Sequence, residues 1–406
     1  MKTGLSFVLN VLLGLTLIIA QSPTPKQAMA AYEQAEYEEC VQMVSKVLKK
    51  AGGSDRVKLL LYRAESYYQL SKDPKTAEKY PNAIELATKD AMTATRSASP
   101  KDKNIKKFRP FLDTISNITV RKGMELYNQK KYSEAKPIFI QAGKIDPNGM
   151  GYYYAGKCAL NNNEKDYINS FTPIAEAQYA DFKSKKPKLK DKYNSEVFAE
   201  LIRYYAQVNN YLKAQELLMQ ATEMFPNDSK VKELKMTPIM QTTKKKDPKT
   251  KKLKFFYEPY TTEQITFADS LINAHKSTID ILATEVNKKR PSPAALSTEL
   301  CRSATLHAWD MRTINYYSSA GVNKSDATKR AKQAGYEGKC VECIYVGTKD
   351  PAEVLKAWMA QEVSQMNLTK PDAKQMGVGI VPVAEHNSIP EQKTEGFFWV
   401  IVLGNK

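Results

Sequence analysis

Residues 123–147 read GMELYNQKKYSEAKPIFIQAGKIDP, and residues 202–226 read IRYYAQVNNYLKAQELLMQATEMFP. In the first stretch Gly123, Tyr132, Ala135, Phe139, Ala142 and Pro147 stand at spacings of 9, 3, 4, 3 and 5. In the second, Tyr211, Ala214, Leu218, Ala221 and Pro226 repeat the 3, 4, 3 and 5. Apolar residues three and four apart share one face of a helix. A small residue on that face lets a second helix approach, and Pro stops the run. Each stretch therefore predicts a helix pair, and self-similarity on this scale marks a stacked array.

This spacing resembles the tetratricopeptide repeat. Weaker copies run from Tyr32 to Val47 (with Tyr37, Cys40 and Val44), from Leu60 to Ala87 (with Ala64, Tyr67, Tyr80 and Ala83), and from Tyr152 to Gly156. The resemblance covers about residues 28–235 and implies a helical solenoid with a concave groove suited to a protein or peptide partner. Cys40 and Cys158 lie inside these helical patterns as small buried hydrophobes. The stretches SKDPKTAEK (71–79) and ADFKSKKPKLKDKY (180–193) read as loops.

Upstream of the array, the chain opens MKTGLSFVLNVLLGLTLIIAQSPTP. A Lys, an apolar run from Leu5 to Ala20 and a polar, Pro-containing segment form the pattern of a secretory signal, with Ala20 the last residue removed. The run contains Asn10 and falls short of the ~20 residues a bilayer span needs. With residues 1–20 cleaved, no transmembrane segment is expected. Export to an oxidising compartment makes Cys pairs candidates for disulfides.

Downstream, residues 236–259 read MTPIMQTTKKKDPKTKKLKFFYEP, with seven Lys against one Asp and one Glu. Three Pro and no apolar periodicity mark it as a Lys-rich linker. The whole chain has 406 residues and a formal net charge of +17. Nearly all of that excess lies in residues 21–259, and residues 260–406 are almost neutral. No recognition helix, zinc finger or stacking platform accompanies the Lys cluster, so nucleic acid is not an expected partner. At roughly 100–200 residues per domain the length fits two or three domains.

Residues 260–406 change character. A helical stretch from Thr261 to Arg290 precedes LSTELCRSATLHAWDM, in which Leu300, Ala304, His307, Ala308 and Met311 share a face. A strand around Val341–Val346, a helix from Pro351 to Met366 and two strands in MGVGIVPV and GFFWVIVLG follow. The alternation suggests a sheet covered by helices.

Several residues in order resemble a CAP domain of the bacterial type, the superfamily of cysteine-rich secretory proteins, antigen 5 and pathogenesis-related proteins. They are Asn287 and Arg290; Leu296, Leu300, His307, Ala308, Asp310 and Met311; Tyr316 and Tyr317; Arg330, Ala334, Gly335 and Tyr336; VECIYVG; Trp358, Met359 and Asn367; Gly377, Val378 and Gly379; and FFWVIVLG. The resemblance extends over about 265–406. It implies an α-β-α sandwich, so the fold expected for the whole chain is α + α/β, a helical solenoid joined to a CAP domain. It also implies a bacterial source and a periplasmic or secreted location.

CAP domains often carry a cavity of two His and two acidic residues that can hold a divalent metal. Here Ser319 and Ser364 stand where the resemblance places the two His, and Glu342 remains of the acids. Glu342, Ser319, Ser364 and His307 are thus the cavity remnant, with no metal, no cofactor and no catalytic residue expected. His307 reads as a hydrogen-bonded packing residue. A disulfide from Cys301 to Cys340 or Cys343 is the expected pairing, and a zinc site from Cys301, His307, Cys340 and Cys343 is set aside. The function expected is a binding or scaffold protein of the cell envelope, not an enzyme. Its repeats would dock a protein or peptide, and its CAP domain would contact a cell-wall polymer or lipid. The alternative is a CAP-domain hydrolase, or a lipid- or glycan-binding protein, using the cavity near Glu342.

Overall fold

The computed structural model describes residues 23–99, 101–147, 149–238, 242–246, 253–384 and 396–406. The expected signal segment 1–20 lies outside them. The chain divides into two compact units, Met1–Ile174 and Ala175–Lys406. No described helix is long and apolar enough to cross a membrane.

The first unit is helical. It holds α1 (Pro25–Glu33), α2 (Tyr37–Val47), α3 (Gly53–Leu70), α4 (Pro74–Lys79), α5 (Ala83–Ser97), α6 (Lys103–Lys107), α7 (Arg109–Asn128), α8 (Tyr132–Ile145), α9 (Met150–Asn161) and the first half of α10 (Tyr167–Phe182). One backbone geometry recurs where paired helices meet. Ala35, Lys130 and Asn163 sit in the left-handed region at φ of 61°, 60° and 56°. The residue after each donates its N–H five residues back, Glu36 to Ala31 O at 2.8 Å, Lys131 to Leu126 O at 3.0 Å and Glu164 to Ala159 O at 2.8 Å. This is the Schellman closure, which satisfies the last carbonyls of one helix and turns the chain into the next. Tyr37 and Tyr132, two of the spacing residues, open the helices that follow.

Gly is the residue most at ease in that conformation, and it stands at none of these turns. Ala35→Gly is therefore expected to stabilise the first unit by about 1 kcal/mol. A rise of a few degrees in its thermal midpoint, followed by circular dichroism, checks this.

Small residues also set how closely helices pack. A Cβ on Gly123 of α7 would lie 2.7 Å from the Phe139 ring of α8, and one on Gly156 of α9 would lie 2.2 Å from the Phe171 ring of α10. Helix α4 occupies part of the stretch read as a loop. Asp73 accepts a hydrogen bond from the Lys75 N–H at 3.0 Å and Pro74 stands in the first turn, which together start a helix.

The second unit continues with α11 (Ser195–Gln207), α12 (Tyr211–Met224) and α13 (Ser229–Lys235). Asn209 makes a fourth turn of the same kind, at φ 61°, with Asn210 N–H donating to Tyr205 O at 2.8 Å. The basic stretch 236–259, read from composition as a linker, instead carries β1 (Thr242–Lys246) and β2 (Leu253–Tyr257), which pair antiparallel from Thr242↔Tyr257 to Lys246↔Leu253. Thr242 and Thr243 against Phe255, Phe256 and Tyr257 are strand formers, and their preference decides over the flanking lysines. The Tyr211 ring packs edge-on against Phe255 at 5.6 Å.

Then follow α14 (Thr262–Ala274), α15 (Lys276–Asn287), β3 (Ala295–Leu296), α16 (Thr298–Ile314), α17 (Ala327–Gln333), β4 (Cys340–Gly347), α18 (Pro351–Met359), α19 (Glu362–Leu368), β5 (Gln375–Pro382) and β6 (Phe397–Gly404). The strands form a sheet of order β3-β5-β6-β4, with β3 parallel to β5 and the other pairs antiparallel. Side chains alternate across it. Val378, Ile380, Trp399, Ile401 and Cys343 face α15 and α18. Val381, Phe398, Val400, Val402 and Val346 face α16 and α17. The result is a three-layer α-β-α sandwich. Gly377 and Gly379 lie under α16 so closely that a Cβ on either would meet helix backbone, Leu300 C at 2.0 Å and Thr305 N at 2.3 Å.

The compact unit begins at Ala175, upstream of the boundaries at 235 and 260 suggested by composition. Hydrogen bonds explain this. Arg203 Nε donates to Thr313 O at 2.8 Å, Gln207 Nε2 to Ile314 O at 2.8 Å, Trp309 Nε1 to Glu233 O at 3.1 Å and Gln264 Nε2 to Thr237 O at 3.0 Å. Helices α11 and α13 thus satisfy the end of α16, and composition cannot show such pairing.

Candidate functional site

Helix α16 starts under a Ser297 cap, whose hydroxyl accepts the Leu300 N–H, and it ends at Asn315 in the left-handed conformation at φ 61°. Between these ends it places His307 and Asp310 toward β4 and α17. The loop after it turns tightly at Gly321, whose N–H donates to Ser325 O at 2.9 Å. A Cβ on Gly321 would lie 2.4 Å from Ser325 Oγ, so the turn leaves no room for one. The loop delivers the chain to α17, capped by Asp326, and so brings Arg330 in from the side.

His307 and Arg330 meet at Glu342 on β4. Arg330 Nη2 donates to Glu342 Oε1 at 2.5 Å, and His307 Nδ1 lies 3.2 Å from Glu342 Oε2. Arg330 Nη2 also donates to Ser319 O at 2.9 Å, and Nη1 to Ser325 O at 2.8 Å and Ser325 Oγ at 3.1 Å. All three side chains are buried. Burial alone would push the Glu342 carboxyl up, but His307 and the Arg330 guanidinium outweigh it and hold it down at about 2. Burial, reinforced by the Arg330 charge, holds His307 below its ordinary value, so at neutral pH it is an uncharged imidazole. An ionised carboxylate only accepts hydrogen bonds. The His307 proton therefore sits on Nδ1, and the buried Nε2 hydrogen-bonds no side chain among the described residues, with the Ser318 backbone beside the ring.

Beside this group, the Tyr316 hydroxyl donates to Asp310 Oδ2 at 2.6 Å. Burial pushes the Asp310 carboxyl up to about 6, against the lowering by Tyr316 and Arg330.

Of the cavity remnant, the structure thus brings together Glu342 and His307. Ser319 is exposed and contributes only its carbonyl oxygen, through Arg330. Ser364 stands apart on α19. Its carbonyl accepts from Cys343 Sγ at 3.5 Å, on the face of β4 opposite Glu342, and its hydroxyl donates to Gln361 Oε1 at 3.2 Å. Helix α19 reaches the site only through Asn367, whose Nδ2 donates to the Glu342 backbone carbonyl at 3.1 Å. The residue that sequence reasoning passed over is Arg330. It was visible in the CAP-like motif, yet only as part of a helix pattern.

The expected disulfide is not formed, and all five cysteines carry free thiols. Cys340 pairs in register with Gly404, which pairs with Gln375. Cys301 sits over β5, where a Cβ on Gly377 would lie 2.2 Å from its N. Two strand spacings, roughly 10 Å, separate β4 from β5, whereas a disulfide spans Cα atoms about 4.4–6.8 Å apart. Cys343 faces the other side of the sheet, packed among Val354, Trp358 and Ile401.

The residues present do not fit a divalent cation. A guanidinium occupies one oxygen of Glu342 and an imidazole N–H the other. Among the described residues no three His, Cys, Asp or Glu side chains converge. The cluster supplies its own cation in Arg330.

A sequence model described as the Cysteine-rich secretory protein family (CAP) matches residues 271–403. The uncharacterized protein YkwD of Bacillus subtilis (strain 168) is 30% identical over 122 residues, which cover 30% of this chain and 48% of that protein. The 1.5 Å crystal structure of an extracellular protein containing a SCP domain from Bacillus anthracis str. Ames aligns at 17% identity and a TM-score of 0.28, over 39% of this chain and 48% of that one. The chain spans about half the length of each of these two proteins. With its order of elements, its sheet and its family match, the C-terminal part of the chain is a CAP domain.

Proposed function

We propose that the chain is an exported binding protein of the bacterial cell envelope, whose CAP domain is catalytically silent and whose N-terminal helices dock a protein or peptide. The observation that carries this reading is the saturation of Glu342, both of whose oxygens are engaged by Arg330 and His307 inside a buried cluster. A carboxylate so held is neither a free base nor a metal ligand. The His307 Nε2 atom, which would have to accept a proton from a nucleophile, hydrogen-bonds no side chain among the described residues. The Leu5–Ala20 run supports export.

The helix pairs support the tetratricopeptide-like reading. Their turns repeat one geometry and their small-against-aromatic contacts fall at the spacing residues Gly123 and Phe139. A cleft of about 510 Å³ in this region is lined by Glu36, Tyr37, Glu38, Glu39, Leu70 and Asp73. Its carboxylates and one aromatic wall suit a basic peptide segment.

The test is capture from envelope extract by the full-length mature chain, beside the Glu38→Lys, Glu39→Lys double variant. Glu39 is exposed, whereas Glu38 is half-buried and paired with Lys79, so the thermal midpoint of the variant is measured beside the parent's. A partner retained by the parent and lost by the variant is expected. Capture that ignores the substitution, or turnover of an ester or glycan substrate by the parent, would reject the proposal.

A further inference from the structure

Between α10 and α11 the chain reads KSKKPKLKDK, residues 183–192. A run of lysines this dense ordinarily splays into solvent, and here the fold holds it in place. Asp181, near the end of α10, accepts the backbone N–H of Lys188 at 3.0 Å, the N–H of Leu189 at 2.8 Å and the Tyr193 hydroxyl at 2.9 Å. The backbone bond from Lys188, with those from Leu189 and Tyr193, keeps the Asp181 carboxyl below its ordinary range despite some burial. Gln178 Oε1 accepts the Asn194 N–H at 3.0 Å and ties down the far end of the loop. Lys185, Lys186, Lys188 and Lys190 are exposed, and no described carboxylate pairs with them.

A second basic segment lies along the same helix. Lys183 Nζ donates to Glu223 of α12 at 2.7 Å. Gln215, eight residues earlier on α12, donates from Nε2 to Thr242 O at 2.8 Å, where β1 begins its sequence TTKKK. Eight residues of helix are about 12 Å, so the loop and β1 stand along one edge of α12. Lysines spaced along a backbone held in place repel one another, and a partner of opposite charge relieves that repulsion.

We propose that the 183–192 loop, continued by β1, binds a linear phosphate-bearing polyanion. Lysine is a compact point charge suited to phosphate. Their contacts on α12 lie about 12 Å apart, which sets the loop and the start of β1 in succession and suits a chain. A bilayer surface would call for apolar anchors beside the charge, and Leu189 in this loop is turned partly inward. No base-reading element adjoins the loop, so recognition is by charge and not by sequence.

The experiment titrates the full chain into fluorescently labelled long-chain polyphosphate and follows anisotropy at 50 and 200 mM NaCl. Four phosphate contacts predict roughly a 50-fold loss of affinity across that range. The quadruple variant K185E/K186E/K188E/K190E should weaken binding by about 100-fold or more while leaving the thermal midpoint unchanged. K185A/K186A gives a smaller loss by the same route, in case the quadruple variant folds poorly. K49E/K50E/K103E/K106E removes equal net charge from exposed lysines of the first unit and should change affinity less than about threefold. Equal losses in the two quadruple variants, or no loss in either, would overturn the proposal. So would equally tight binding of poly-L-glutamate, or lysine-dependent binding to anionic phosphatidylglycerol vesicles without binding to polyphosphate.

Discussion

Gly379→Ala should collapse the C-terminal sandwich, with a loss of at least about 3 kcal/mol and a fall of roughly 6–12 °C in its thermal midpoint. The added methyl would sit 2.3 Å from Thr305 N, 2.4 Å from Ala304 C and 2.6 Å from Ala304 O. Overpacking a core ordinarily costs about 1–3 kcal/mol because side chains yield. Here the obstruction is helix backbone on one side and the middle strand pair on the other, and neither has a rotamer to change. Helix α16 would have to lift from β5, and it carries His307 and Asp310 with it. The lost entropy of the unfolded chain returns only about 0.4–1 kcal/mol. Denaturant unfolding by near-ultraviolet circular dichroism measures the effect, and a midpoint within 2 °C of the parent would show that α16 is not seated on Gly379 as described.

Glu342→Gln should be nearly as damaging, for an electrostatic reason. It leaves the Arg330 guanidinium buried with no counter-charge, and breaking a buried pair in this way costs about 3–5 kcal/mol. The double variant Glu342→Gln, Arg330→Met should recover most of that loss, because it removes both charges together.

The pH profile separates the contributions. Glu342 is held at about 2 in the folded chain, below the ~4.3 of an unfolded Glu, so its contribution is full above ~4.3 and disappears as pH falls toward 2. His307 is held below its ordinary value, so acidification below ~6.5 favours the unfolded chain, which takes up the proton first. Asp310 is pushed up to about 6 and acts with the opposite sign, since between ~6 and ~3.9 the folded chain holds the proton. His307 and Asp310 therefore oppose each other as pH falls from ~6.5, and stability should drop steeply below about 4, where Glu342 takes up its proton. In the Glu342→Gln variant the drop below about 4 should be markedly shallower, since the other carboxylates held low, Asp181 among them, still take up protons there. A steep acid loss that persists in that variant would place its source elsewhere.

The helix pairs were legible because their information is local. Gly123 and Phe139, or Tyr132 and Ala135, lie within a few turns of one another, and the 3.6-residue period writes their contacts into the spacing. The strands of the CAP domain were legible for a similar reason, as FFWVIVLG and MGVGIVPV are too apolar and β-branched to lie anywhere but mid-sheet. The site was only half legible. Glu342 and His307 were picked out, but their closure by Arg330 depends on how a tight loop at Gly321 aims α17, and no periodicity encodes that. The cysteine pairing failed for want of distance, since sequence order does not show that β5 and β4 are separated by β6. In residues 236–259, seven lysines dominated the composition and concealed the pairing of β1, which opens on two threonines, with the aromatic end of β2.

The bonds from Arg203, Gln207 and Glu233 to the end of α16 also bear on how this domain can be cut. The family match opens at residue 271, yet a chain shortened to that point would leave the carbonyls of Thr313 and Ile314 and the indole N–H of Trp309 without their partners. Each orphaned group that stays shielded from water costs about 1–3 kcal/mol. The compact unit Ala175–Lys406 is longer than the stretch the family model matches, and fragments intended for separate study should hold together best when they start ahead of α11.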